Sequence, residues 1–150
     1  MIRFKKEDDM YGCFSNFYNC PITYDGITYH STEAAFQSLK CKDYEDRKEF
    51  SELTPNQSKK YGRKVDLRED WEDVKYDLMV DVLKSKFTQH PDIGEILKST
   101  NDEEIIEDTT AWHDNIWGDC QCPRCKNKEG RNLLGKALME VRDNLKMNNI

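Results

Sequence analysis

Four short stretches of this 150-residue chain join ionisable or amide side chains to aromatic rings or glycines. They are Phe14-Ser15-Asn16-Phe17-Tyr18, the run Glu33 to Lys40, Trp112-His113-Asp114-Asn115-Ile116-Trp117-Gly118, and Gly130-Arg131-Asn132-Leu133-Leu134-Gly135. In the second, Glu33, Gln37 and Lys40 recur at i, i+4 and i+7, so a helix there would present a carboxylate, an amide and an amine on one face. A separate cluster, Cys120-x-Cys122-x2-Cys125, has the chemistry of a soft-metal ligand set. A tetrahedral Zn²⁺ would need a fourth ligand, for which His113 or another Cys is available. Only half of a zinc ribbon is present, so free thiols are the competing reading. Cys13, Cys20 and Cys41 read as buried small hydrophobes.

These side chains need elements to hold them. Ile22-Thr23-Tyr24 and Ile27-Thr28-Tyr29 flank Asp25-Gly26, a pair that tolerates the positive φ angles of a two-residue hairpin turn; residues 1 to 30 read as extended. Ser31 or Thr32 can cap a helix with Glu33 in its first turn, running to about Lys42. Thr54-Pro55 supplies a cap and an N1 proline for another helix, which Gly62 would close in the left-handed conformation. Val74, Leu78, Met79, Val82, Leu83 and Phe87 keep helical spacing from Trp71 onward. Pro91 starts a short helix ending near Leu97, while Glu104-Ile105-Ile106-Glu107-Asp108, too short for pattern alone to separate strand from helix, is read as a strand. Leu134, Leu138, Val141 and Leu145 mark a final helix from Asn132. The sum is an α+β fold, mostly helical with a small sheet near the N-terminal hairpin, and its length is that of one domain, residues 1–150.

Composition narrows the function classes. The net charge is -6, from 23 Lys plus Arg against 29 Asp plus Glu, which argues against indiscriminate binding to a phosphate backbone. Six Phe, seven Tyr and three Trp provide a core that the aliphatic residues alone would leave thin. No apolar run approaches a membrane span, and Met1-Ile2-Arg3-Phe4-Lys5-Lys6 lacks the apolar stretch of a secretory signal. A cytoplasmic protein with reduced thiols is expected.

Taken in order, the motifs resemble those of the NADAR superfamily over nearly the whole chain. The resemblance is carried by Ser15-Asn16-Phe17; by Glu33, Gln37 and Lys40; by Gly62-Arg63; by Trp71, Met79 and Lys86-Phe87; by Asp114, Trp117 and Gly118; and by Gly130, Asn132, Leu134, Gly135, Leu138, Met139 and Arg142. It implies hydrolysis of an N-glycosidic bond of a phosphorylated ribose or ADP-ribose derivative, a riboflavin-pathway intermediate or ADP-ribosylated guanine. The partner would then be a small nucleotide or ribose phosphate, or ADP-ribosylated guanine within a nucleic acid. Catalysis would require no cofactor, leaving only structural zinc at the Cys cluster, where many relatives carry a glycine-rich connection.

Such a bond breaks through an oxocarbenium-like transition state, which calls for a carboxylate near the developing positive charge and an acid or base for leaving group and water. Under the resemblance, Glu33 and Asp114 take those roles, and Lys40 is a candidate amine nucleophile if burial lowers its pKa. Trp117, Trp71 and Phe17 would wall a flat base, with Ser15, Gln37 and Gly118 lining the site. Asn16 and Asn132 would meet sugar hydroxyls, and Arg63, beside Lys59, Lys60 and Lys64, would grip a phosphate. Each residue also has a structural reading: Glu33 as a helix-dipole partner, Asp114 as a turn residue, Asn132 as a helix cap, Trp71 as core, and the lysines as a solvated face. Two other function classes compete, a module that binds ADP-ribose or a nucleotide without turning it over and a small zinc-dependent nucleic-acid binder.

Overall fold

A computed structural model describes residues 1–148, which fall into two compact units. One comprises residues 16–91; the other joins residues 1–15, with strand β1 (Ile2–Phe4), to the chain from 92 onward. The unit of residues 16–91 is built on the expected hairpin. Asp25 (φ 51°) and Gly26 (φ 83°) both take positive φ, as a turn matched to the twist of two short strands demands. They join β2 (Asn19–Tyr24) to β3 (Ile27–Ser31), antiparallel with Ile22 opposite Tyr29 and a bulge between Asn19 and Ile22. Ile22, Ile27 and Tyr29 turn inward.

Ser31 ends the hairpin and caps α1 (Thr32–Ser38), its hydroxyl accepting from the Ala34 N–H at 3.1 Å. Every residue of α1 is buried, because the hairpin, α3 (Pro55–Gly62) and α4 (Trp71–Gln89) all pack on it. The helix stops at Ser38, short of the expected Lys42. The N–H groups of Leu39, Lys40 and Cys41 donate three residues back, the tightening typical of a helix end. The chain then leaves to meet residues 66–68: Cys41 bridges Leu67, Lys42 N–H donates to the Asp66 carbonyl, and Arg68 N–H donates to the Lys40 carbonyl. A one-turn α2 (Tyr44–Arg47) and a following 3-10 turn carry no periodic signal and are organised around Phe50, which is fully buried.

At the start of α3, Thr54 and Gln57 form a reciprocal capping box ahead of Pro55. Gly62 does not take the left-handed conformation expected of it; among the described glycines only Gly26 has positive φ. It is the last residue of α3, and a Cβ there would run into the Gln37 side chain, so its role is close helix approach. In α4 the expected Met79, Val82, Leu83 and Phe87 are buried, while Val74 and Leu78 are only half-buried and the lysine at 86 is fully buried.

In the other unit, β1 pairs in parallel with β4 (Ile105–Glu107), Ile2 opposite Ile105, a union of segments so distant along the chain that no local spacing announces it. Residues 5–15 are not extended as expected; they fold into turns that seat Phe14 edge-on to Phe4 at 5.7 Å. Two helices complete the unit, α5 (Pro91–Ser99) and α6 (Leu133–Met147). Leu134, Leu138 and Val141 form the buried stripe of α6. Arg142, 4% exposed, donates to Thr100 Oγ1 and the Glu103 carbonyl. No helix among the described residues is long and apolar enough to cross a membrane.

Candidate active site

In the unit of residues 16–91, α1 presents Glu33 and Gln37 on one face, both 7% exposed, with Gln37 Nε2 donating to Glu33 Oε1 at 2.9 Å. The Glu33 N–H donates to the Asn16 carbonyl, so the segment before the hairpin is tied to the first turn of the helix. Asn16 Nδ2 reaches the Met79 sulfur at 3.8 Å. The buried oxygens Asn16 Oδ1 and Gln37 Oε1 have no hydrogen-bond partner, a state that buried polar atoms rarely occupy without a ligand or water to satisfy them. Phe17 is half-buried.

Lys40 lies beyond the end of α1, held by the bridge to residues 66–68, and its Nζ sits 5.8 Å from the Trp71 ring centroid. Trp71 is itself core, 8% exposed and tilted against Phe36 at 5.1 Å, so the ring supports the amine and packs the helix at once. Burial lowers the Lys40 pKa below lysine's ordinary value; the Glu33 charge opposes this, and the positive charges of Arg63 and Lys75 reinforce it. Arg63 follows α3 and is exposed. Lys75 stands outside every motif, and the apolar pattern of α4 marks it as a solvent position; only its i+4 spacing from Trp71 points toward the site. Lys86 belongs to a family motif without an assigned task, yet it is fully buried, its Nζ 5.3 Å from the Phe87 ring and 5.8 Å from that of Tyr18.

The other unit holds Ser15, Asp114, Trp117, Gly118 and Asn132. Ser15 is buried and follows a 3-10 turn, donating its N–H to the Gly12 carbonyl. Asp114 Oδ1 accepts from the Ile116 and Trp117 N–H groups at 2.8 and 3.0 Å, an Asx-type turn. The turn's carbonyls are used as well: those of Asn115, Ile116, Trp117 and Gly118 accept from Arg131, Leu133, Leu134 and Asn132. The segment therefore satisfies N–H groups that the start of α6 would otherwise leave without partners. Gly118 is required by packing, since a Cβ would strike Thr109 and the Glu107 carbonyl. Trp117 is half-buried.

Asn132 occupies the N-cap position of α6 in the left-handed region (φ 52°) and makes no side-chain cap bond. Its amide instead accepts from the Glu107 N–H at 3.1 Å and donates to the Ile105 carbonyl at 2.8 Å. It thereby completes the free edge of β4 rather than capping the helix. Asn132→Ala removes partners from two backbone groups and loses the residue type best suited to that φ, so it is expected to destabilise the protein by about 2 to 4 kcal/mol. Urea unfolding of the variant measures this.

His113, Cys120, Cys122 and Cys125 converge, their ligand atoms all lying within 4.8 Å of one another. His113 Nδ1 is 3.3 Å from both Cys120 Sγ and Cys122 Sγ, with the backbone of His113 in the left-handed region at φ 60°. Burial pushes the Cys120 thiol up to about 11. For Cys122 burial acts in the same sense, but hydrogen bonds from Cys120 and from the Cys125 and Arg124 backbone outweigh it and bring the thiol down to about 6. A group of this composition can hold a metal ion. Cys13, Cys20 and Cys41 are buried, as expected.

Residues 3–146 match the NADAR domain family. The chain is 36% identical over 148 residues to the N-glycosidase YbiA of Escherichia coli (strain K12), covering 97% of this chain and 88% of that protein. The NMR structure of the E. coli protein YbiA superposes with a TM-score of 0.84, covering 99% of this chain and 86% of that one. The N-glycosidase Npun_R5314 of Nostoc punctiforme is 34% identical, covering 97% of this chain and 92% of that protein. Riboflavin biosynthesis protein VVA0006 of Vibrio vulnificus is 31% identical over 96% of this chain, which spans 38% of that longer protein. By the family match over residues 3–146 and the identity to these relatives, the chain belongs to the NADAR domain family.

Proposed function

We propose that this chain hydrolyses the N-glycosidic bond of a phosphorylated ribose or ADP-ribose derivative in the cytoplasm, with Glu33 and Asp114 as acid/base or charge-stabilising groups. The enzyme class, a glycosidase hydrolase, rests on the curated N-glycosidases it is similar to along almost their whole length. The observation that carries the chemistry is the buried Glu33–Gln37 pair beside the half-buried Lys40, an amine whose pKa burial lowers and on which the Glu33 charge acts. The names of relatives tied to riboflavin biosynthesis favour an intermediate of that pathway as substrate. ADP-ribosylated guanine offers the same bond, a base nitrogen on an anomeric ribose carbon, and is the second substrate to assay.

Asn16 and Gln37, each with an unsatisfied buried carbonyl oxygen, are suited to accept from sugar hydroxyls. Arg63 and Lys75, whose positive charges act on Lys40, form a local positive field suited to a phosphate. A Zn²⁺ held by the His/Cys group would have no part in the chemistry, since all four donor positions are protein side chains.

Lys40 takes the role of nucleophile. Its neutral amine forms a bond to the anomeric carbon as the carbon–base bond breaks, and the base departs with a proton from a carboxylic acid. The sugar ring opens to an imine on Lys40, and water hydrolyses that imine to free sugar and amine. Borohydride added during turnover is expected to trap a secondary amine on Lys40, found by peptide mass spectrometry. Turnover without any such adduct would assign the attack to water.

The same role fixes a pH dependence. Because attack needs a neutral amine and departure of the base needs a protonated acid, kcat/KM should be bell-shaped in pH, with the limb that titrates Lys40 below lysine's usual range because of burial. Lys75→Met removes a positive neighbour that lowers this pKa, so the Lys40 limb should move to higher pH. A profile unchanged by Lys75→Met would remove Lys40 from the rate-controlling step.

A further inference from the structure

We propose that His113, Cys120, Cys122 and Cys125 form a tetrahedral Zn²⁺ site that fixes the Asp114–Trp117 turn. Among residues 119–129 the only buried side chains are Cys120 and Cys125; the others are half-buried Asp119 and Cys122 or exposed polar residues and Pro123. The segment thus has no apolar core of its own and no helix or named strand, and a chain with nothing to bury stays ordered only if something else supplies the free energy. Four donors converging on one point can supply it.

The donor geometry suits zinc. Bonds of ~2.3 Å to sulfur and ~2.0 Å to nitrogen, arranged tetrahedrally, put neighbouring ligand atoms roughly 3.5 to 3.8 Å apart. The His113 Nδ1 to Sγ separations are 3.3 Å, and the whole set lies within 4.8 Å. The Cys122 N–H points at Cys120 Sγ at 3.5 Å, and the Cys125 and Lys126 N–H groups both donate to the Cys122 carbonyl, so the backbone between the thiols is already folded into a compact turn. Three thiolates around Zn²⁺ leave one net negative charge, and Arg124, Lys126 and Lys128 lie on the same loop. One mononuclear set of three thiols and an imidazole favours zinc over an iron–sulfur cluster.

The site's position gives it its function. Ligands at 113 and 120 bracket the turn, so a metal closes a short loop that contains both Asp114 and Trp117. Asp114 directly follows a ligand. The Cys120 N–H donates to Asn115 Oδ1 at 2.9 Å, so one ligand is hydrogen-bonded directly to the turn, and the Gln121 N–H that follows it donates to Thr110 Oγ1 at 3.0 Å. The ligands are therefore positioning residues. That half of the proposal rests on the N-glycosidase reading of Asp114; the existence of the metal site does not.

The test uses the full purified chain. Metal analysis should return one zinc per chain, and Co²⁺ exchanged into the site should give the intense visible bands of tetrahedral cobalt with thiolate ligands. Cys122→Ser and Cys125→Ser should lose those bands. Chelation of the wild type should then accelerate hydrogen exchange at Ile116, Trp117 and Cys120 by about tenfold or more while α1 stays protected, with turnover falling in parallel and returning on readdition of Zn²⁺. Absence of zinc together with absence of a cobalt–thiolate spectrum overturns the site. Bound zinc whose removal leaves exchange at Ile116 and Trp117 unchanged overturns the positioning role. A zinc-loaded, ordered turn in a protein that releases base from no N-glycoside upholds the site and defeats the glycosidase reading, so the two failures are distinct.

Discussion

Glu33→Gln is expected to lower kcat by on the order of 10³-fold while the protein remains folded. Glutamine keeps a carbonyl oxygen at the position that accepts from Gln37 Nε2, and its volume matches the buried space. The structural function of Glu33 as a negative charge in the first turn of α1 accounts for only about 0.3 to 1 kcal/mol of stability. A purely structural Glu33 would therefore give a slightly less stable enzyme with near-normal rates. A catalytic Glu33 gives the opposite pattern, an intact circular dichroism spectrum with turnover nearly gone, and steady-state kinetics beside a melting curve separates the two.

Asp114 needs a pair of variants, because its carboxylate already has a structural task. Asp114→Asn retains an oxygen acceptor for the Ile116 and Trp117 N–H groups and removes only the charge. Asp114→Ala removes both. The catalytic assignment predicts a loss on the order of 10²- to 10³-fold in each variant, with the added cost of a loosened turn confined to the alanine. If the asparagine variant turns over normally and only the alanine variant fails, Asp114 is a turn residue and the second acid must be sought elsewhere.

Local chemistry makes much of the fold legible. Asp25-Gly26 specifies a turn with two positive φ angles, Ser31 and Thr54 specify helix starts by satisfying N–H groups, and the apolar spacing of α4 and α6 specifies which faces are buried. Expectation and structure part where long-range partners decide. Nothing near Lys42 says that residues 66–68 will take its backbone hydrogen bonds and end α1 early. Nothing around Gly62 distinguishes a left-handed terminus from a helix that must approach Gln37. The pairing of residues 2–4 with 105–107 joins segments too distant for any pattern to register.

The site is legible to a similar degree. Helical spacing puts Glu33 and Gln37 on one face, and the thiol spacing with His113 points to the convergent metal ligands. The contributions of Lys75 and Lys86 stay hidden because lysine in an amphipathic helix ordinarily faces water, and only tertiary packing reveals which ones do not. Asn132 shows the converse: a polar residue flanked by glycines in a functional-looking motif commits its amide to the edge of β4.

Breakage of a bond between a base nitrogen and a ribose carbon is the reaction on which the roles of Glu33, Lys40 and Asp114 all depend. A mass-spectrometric time course with a phosphoribosyl riboflavin-pathway intermediate and with ADP-ribosylated guanine tests it directly. The expected result is stoichiometric appearance of free base or amine and the matching sugar phosphate from at least one of them, abolished by Glu33→Gln. Binding of both substrates by folded, zinc-loaded protein with release of neither base would contradict it and leave a nucleotide-binding module in its place.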